Sequence, residues 1–501
     1  MQGFTVVDLV ILVVYLAAVL FAGLHFAKKE MKGKEYFKGD GTVPWWVTSV
    51  SIFATLLSPI SFLSLAGNSY AGTWIMWFAQ LGMLLAIPIT IKFFLPIYSK
   101  LDIDTAYHYL ELRFGSKGLR VLGAVMFIIY QIGRMSIIMY LPCMVLGSLT
   151  GISVNLLIII MGVIAIIYSY TGGLKSVLWT DFIQGSVLLI GVTFALVFLI
   201  VHIDGGMGAI FQAFSLEHKF LAVDQPIFNP NIFKDSVFIL IVGAGFNTMG
   251  SYVSSQDIVQ RFTTTTDTKK LNKMMLTNGA LSIFIATVFY LIGTGLFVFY
   301  KQNALPPAAA QDQIFASYIA FELPVGVTGL LLAAIYAAAQ STLSTGLNSV
   351  ASSWALDIQS NLSKEELGFE KETKIGQRVS LAVGIFSIVV AMVLANGGVK
   401  SAYEWFNGFM GLVLGILIGT FILGAFTKVA NTFGATAAFI AASAVMVYIK
   451  YFVPAGQVTI WSYSIISIAV SLVVGIPASI IWRNIKGDKS EPAPNTTIYK
   501  N

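Results

Sequence analysis

The amino-acid sequence predicts an all-α polytopic membrane protein. The prediction rests on composition, on apolar windows of membrane length, and on the sidedness of Lys and Arg. Hydrophobic residues make up 57% of the 501 and charged residues 11%, and the mean hydropathy is +0.81. That composition excludes a soluble globular domain. Windows of about 20 apolar residues, enough to cross a ~30 Å hydrocarbon core, recur along the whole length. They predict about thirteen transmembrane helices, near 5–27, 45–68, 73–99, 118–147, 152–171, 176–202, 235–257, 273–300, 323–350, 375–396, 404–426, 431–453 and 460–483.

Thirteen spans put the two ends on opposite sides. With the N-terminus outside, only Lys219, Lys234, Lys301, Lys400 and Lys450 of the 30 Lys and Arg fall in outer segments. Arg134 lies in the membrane, and the other 24 face inward. This is the positive-inside asymmetry of a cell-membrane protein with a cytoplasmic C-terminus. The net charge of +6 therefore reflects topology, and no basic block interleaved with aromatics suggests nucleic acid.

The first span is too long, and its flank too acidic at Asp8, for a cleaved signal peptide. Cys143 is the only cysteine, which excludes an intramolecular disulfide and disfavours a thiolate metal site. The sequence predicts a single membrane domain over 1–501 without an appended soluble domain. The polar tail from 484 to 501, with Pro492 and Pro494, reads as disordered.

Two spans carry interruptions. Ser58-Pro59 falls in the middle of the second, where proline removes a donor and frees carbonyls between Ala54 and Leu57. Gly243, Gly245 and Gly250 weaken the seventh. Each alone reads as an ordinary kink or a packing site. At corresponding places in two five-helix units, 45–202 and 235–426, they predict an inverted-repeat transporter with its site at the midplane. The span at 5–27 is then an extra N-terminal helix, and 431–483 holds two C-terminal helices.

The run from Ala337 to Thr345 places four hydroxyls in five residues at membrane depth. Ala338, Ser341 and Thr342 share one helical face, and so do Ser341, Ser344 and Thr345. Two readings stand: close packing of helices, or hard oxygen ligands for an alkali cation. Arg134 sits mid-span, where a guanidinium needs a carboxylate, from a ligand or from a scarce internal acid. Asp181 either caps local backbone or faces the hydroxyls as a cation ligand. Trp74, Trp77 and Phe78 beside Gln80 suit either an interfacial belt or a substrate face. The spans offer no convergent acid, base and nucleophile, so an enzyme is not expected.

The stretch Tyr170-Thr171-Gly172-Gly173-Leu174-Lys175-Ser176-Val177-Leu178-Trp179-Thr180-Asp181-Phe182-Ile183-Gln184-Gly185 resembles the signature of the sodium/solute symporter family, as does Ala337 to Thr345. Ile132-Gly133-Arg134 and Ser254 to Phe262 resemble its bacterial sialic acid transporter branch. The resemblance spans roughly 40–480. It implies the leucine-transporter-type fold, a 5+5 inverted repeat, and sodium-coupled import of sialic acid with Na+ as the coupling ion. The implied first sodium site is Ala54, Leu57, Ala338, Ser341 and Thr342. The implied second is Asp181, Ser341, Ser344 and Thr345, giving two sodium ions per substrate. The implied sialic acid pocket is Leu56, Ser58, Ser61, Met76, Gln80 and Arg134. Leu56 and Met76 depart from the branch, where a relative has Thr and Phe, and Thr342 and Thr345 stand for serines. Another anionic solute, such as a monocarboxylate, an amino acid or an acidic sugar, is the alternative substrate.

Overall fold

The computed structural model describes residues 5–26, 34–39, 41–303, 313–363, 368–397, 402–454, 456–487 and 491–499. The inner-side charges Lys28, Lys29, Lys32, Lys364, Lys489 and Lys500, and the outer Lys400, lie outside the described residues. Helices account for almost all of the regular structure, and no strand occurs among the described residues. In chain order the elements used below are α1 (Val6–Phe26), α2 (Trp45–Leu56), α3 (Pro59–Ala71), α4 (Ala79–Ile89), α5 (Lys117–Thr150), α6 (Val154–Val201), α7 (Val237–Ser254), α8 (Gln256–Phe262), α9 (Thr268–Gln302), α10 (Val327–Ser352), α11 (Phe369–Asn396), α12 (Ala402–Phe426), α13 (Thr432–Phe452) and α14 (Tyr463–Lys486).

Among the described residues eleven helices are long and apolar enough to cross a membrane, or twelve if the bent pair α2–α3 is one span. The span expected at 152–171 appears as the shorter apolar segment Val154–Ile167. It joins the next span through Gly173, at φ 56°, ψ −163°, where a methyl would meet the Tyr36 carbonyl at 2.7 Å. Only glycine tolerates that combination of angle and space.

Helix α10 forms the centre. Nearly every residue from Thr328 to Ser352 is buried, against α6, α5, α11 and α1. Asp8 near the start of α1 accepts from the Gly326 and Gly329 amides, both at 2.8 Å, so it satisfies orphan donors at the N-terminus of α10.

Three expectations are corrected. Helix α7 runs unbroken through Gly243, Gly245 and Gly250, and the interruption falls later, at Ser255 (φ −94°, ψ 116°). Its glycines instead permit close approach: a methyl on Gly243 would collide with the Trp461 carbonyl, and Gly245 meets the Gly82 backbone of α4. Residues 491–499 of the tail are docked rather than disordered. Tyr109 Oη donates to the Thr496 carbonyl and the Ile498 amide to Ala425 O, each at 3.0 Å. Arg261, counted with the inner-side charges, is fully buried on α8.

Candidate functional site

The break between α2 and α3 is local chemistry made visible. Leu57 and Ser58 are extended, Pro59 opens α3, and the two helices meet at a 63° bend. Ser58 Oγ accepts from the Ser61 amide at 3.4 Å and caps α3. The last carbonyls of α2 lose their helical donors and are served from other helices. Ser341 Oγ on α10 donates to Ala54 O at 2.9 Å. Arg134 Nη2 on α5 donates to Thr55 O at 2.6 Å. Thr342 Oγ1 donates to Ala338 O at 3.1 Å. The structure therefore joins Ala54 to Ser341 and Ala338 to Thr342, with Leu57 at the break. A hydroxyl that donates its proton keeps its lone pairs for a cation.

One turn deeper on α10 lies the second cluster. Asp181 Oδ2 accepts from Ser51 Oγ at 2.6 Å, Thr345 Oγ1 at 3.2 Å and Arg261 Nη2 at 2.6 Å. Ser344 Oγ donates to Ser341 O at 3.1 Å. Asp181 Oδ1 is buried and has no hydrogen-bond partner among the described residues. An orphaned carboxylate oxygen is costly unless a ligand serves it, so the donor set fits a sodium ion. Asp181 thus meets Thr345 as expected, but it also meets the guanidinium of Arg261, which lies between the expected spans 235–257 and 273–300.

Beside the break a cavity of about 170 Å³ is lined by Leu56, Ser61, Gln80, Asn247, Ser282 and Trp461, among others. Of the six residues expected to hold substrate, Leu56, Ser61 and Gln80 line it. Ser58 is spent on the α3 cap. Met76 packs with Leu240, Ala244 and Trp461. Trp74 and Trp77 are structural: their indole nitrogens donate to Thr294 and Thr287 on α9. Asn247 on α7 lines the cavity and accepts from Ser464 Oγ.

Arg134 does not line this cavity. Nη1 donates to Asp257 Oδ2 at 2.5 Å, and Nε has no hydrogen-bond partner among the described residues. The internal acid that seemed scarce is therefore present. Its signal was Ser255-Gln256-Asp257 at the end of the expected seventh span, where an acid and Arg261 one turn later enter the core together.

The family profile of the "sodium:solute symporter family" matches residues 36–442. The chain belongs to that family. It is 33% identical to the sodium/sialic acid symporter SiaT of Proteus mirabilis (strain HI4320), over 99% of this chain and 100% of that one. It is 30% identical to the sodium/sialic acid symporter NanT of Aliivibrio fischeri, over 97% and 96%. The solved substrate-bound, outward-open structure of a Na+-coupled sialic acid symporter superposes with a TM-score of 0.88 at 33% identity, over 96% of this chain and 98% of that one. Mhp1, a nucleobase-cation-symport transporter, superposes at 0.57 with 16% identity and shows the shared fold alone. The symporter is thus an all-helical transporter of the leucine-transporter type, with the broken α2–α3 span fastened to its central helix α10.

Proposed function

We propose that this symporter couples the inward movement of sodium to import of sialic acid across the cell membrane by alternating access. Transport, rather than chemistry on the solute, is its function. The observation that carries the reading is the contact from Ser341 to the freed Ala54 carbonyl beside the cavity. It joins hard oxygen donors on two helices at the proline-broken span. Similarity to sodium/sialic acid symporters over nearly the whole chain supports the solute.

In this reading the first sodium is held by Ala54, Leu57, Ala338, Ser341 and Thr342, and the second by Asp181, Ser341, Ser344 and Thr345. Leu56, Ser61 and Gln80 face the sugar. Arg134 takes the substrate carboxylate once it turns from Asp257. The N-terminus lies outside and the C-terminus in the cytoplasm, with 45–202 and 235–426 as the two repeats. Each sodium entering down 100 mV contributes about 2.3 kcal/mol. Two sodium ions with one monoanion carry net positive charge, so uptake is electrogenic.

Uptake of labelled N-acetylneuraminate into proteoliposomes tests the reading. An inward sodium gradient should drive accumulation and choline should not, and unlabelled sialic acid should compete. Competition by lactate or an amino acid, with none by sialic acid, would reassign the substrate within the family.

A further inference from the structure

One short helix neutralises both charged groups of the site. Helix α8 carries Asp257 and Arg261, four residues apart and both buried. Asp257 Oδ2 accepts from Arg134 Nη1 at 2.5 Å, and its Oδ1 accepts from Ser255 Oγ at 2.5 Å. Arg261 Nη2 donates to Asp181 Oδ2 and Thr345 Oγ1, each at 2.6 Å, and Nε donates to Ser51 Oγ at 2.9 Å. Arg261 Nη1 also donates to the Asp257 carbonyl. A tethered anion thus occupies the guanidinium assigned to substrate, and a tethered cation occupies the carboxylate and the hydroxyl assigned to the second sodium.

We propose that Asp257 and Arg261 couple the two ligands by exchanging partners: the substrate carboxylate displaces Asp257 from Arg134, Asp257 then pairs with Arg261, and Asp181 is released to sodium. The proposal rests on the assignment of Arg134 and Asp181 to substrate and sodium made above.

Charge balance supports the exchange. Without ligands the four groups form two pairs, Arg134–Asp257 and Arg261–Asp181. One anion and one sodium convert them into three pairs: Arg134–substrate, Asp257–Arg261 and Asp181–sodium. Every buried charge keeps a partner in both arrangements. Either ligand alone leaves one buried charge uncompensated, the costly case in a low-dielectric interior. An acid four residues ahead of a base on one helix is the favoured orientation for that pair. The Nη1 contact already holds Arg261 against the Asp257 backbone. Asp181 Oδ1, buried and without a hydrogen-bond partner among the described residues, is an oxygen open to sodium.

The test measures sodium affinity of the purified full chain by thermal shift, with and without N-acetylneuraminate. In wild type the sugar acid should raise sodium affinity by about five-fold or more, and sodium should raise sugar-acid affinity by the same factor. Asp257→Asn should bind the sugar acid more tightly without sodium, and the coupling factor should fall towards one. Arg261→Gln should bind sodium more tightly without substrate, whereas Arg261→Lys, which keeps the competing cation, should not. Wild-type coupling in both Asp257→Asn and Arg261→Gln would overturn the exchange. If Arg261→Gln does not fold, Asp257→Asn and Arg261→Lys decide it, since wild-type coupling in Asp257→Asn suffices to overturn it. If wild type binds no sialic acid, the substrate reading fails. The sodium arm still decides the role of Arg261, because sodium affinity unchanged in Arg261→Gln contradicts a competing cation.

Discussion

Ser341 Oγ donates to the Ala54 carbonyl at 2.9 Å across 287 residues of chain. That one bond fastens the proline-broken span to the central helix. It sets a freed carbonyl, a hydroxyl and the Thr342–Ala338 pair at one depth. Such neutral oxygens hold a sodium ion only as a group, so deleting one should be read out in sodium affinity.

Thr342→Ala should raise the sodium concentration for half-maximal uptake roughly tenfold, the equivalent of about 1.4 kcal/mol, on the scale of one lost hydrogen bond. Thr342→Ser keeps the oxygen and should stay close to wild type. Sodium titrations of uptake compare the two, and equal effects would make this hydroxyl a packing group.

Arg134 presents two separable roles. Arg134→Ala strands Asp257 in the core, a defect of roughly 3–5 kcal/mol. The double variant Arg134→Ala/Asp257→Ala removes both charges and should recover most of that stability. It should still bind no sialic acid, while sodium-dependent thermal stabilisation survives. Recovery of sialic acid binding in the double variant would remove Arg134 from the substrate site.

How far the sequence reached differs from one residue to the next. The Ser58-Pro59 break was legible because proline acts on its own backbone. The hydroxyl faces of α10 were legible because helical spacing alone determines them. The partner of Arg134 was not legible, because Asp257 stands at the very end of the expected seventh span and only the turn at Ser255 carries it back into the core. The glycines of α7 misled for a related reason. Gly243 and Gly245 look like weak points from within their own helix, yet they are contact points for Trp461 and α4. The docked tail depends on the Tyr109 hydroxyl and on backbone groups of α12, which no local pattern near 496 announces.

Gly82 tests that packing. A methyl there would lie 2.5 Å from Gly245 N and from Ile241 O. Gly82→Ala should cost about 1–3 kcal/mol through overpacking and lower the thermal midpoint. Gly208→Ala, on a helix with nothing within 4 Å of the new methyl, should be neutral or slightly stabilising. Equal midpoints for the two variants would contradict the close approach of α4 and α7.

The short helix His108–Phe114 between the third and fourth expected spans should sense acid. Burial, then the Arg120 guanidinium, hold the His108 imidazole below its ordinary value of 6.5. Its Nδ1 accepts from the Asp104 amide at 3.3 Å, which requires the neutral ring. As pH falls through 6.5 the unfolded chain takes the proton first, so stability should decline until the folded pKa is passed and should be unaffected above 6.5. His108→Gln should flatten that limb of the melting profile between pH 5 and 7, and an unchanged limb would assign the dependence to other groups.

The central claim is sodium-coupled, electrogenic import of sialic acid. Simultaneous recording of current and labelled N-acetylneuraminate flux in the same wild-type proteoliposomes tests it most directly. The account predicts no uptake without sodium and, with sodium, one net positive charge moved inward per sugar acid. Uptake that persists at full rate when choline replaces sodium would contradict it.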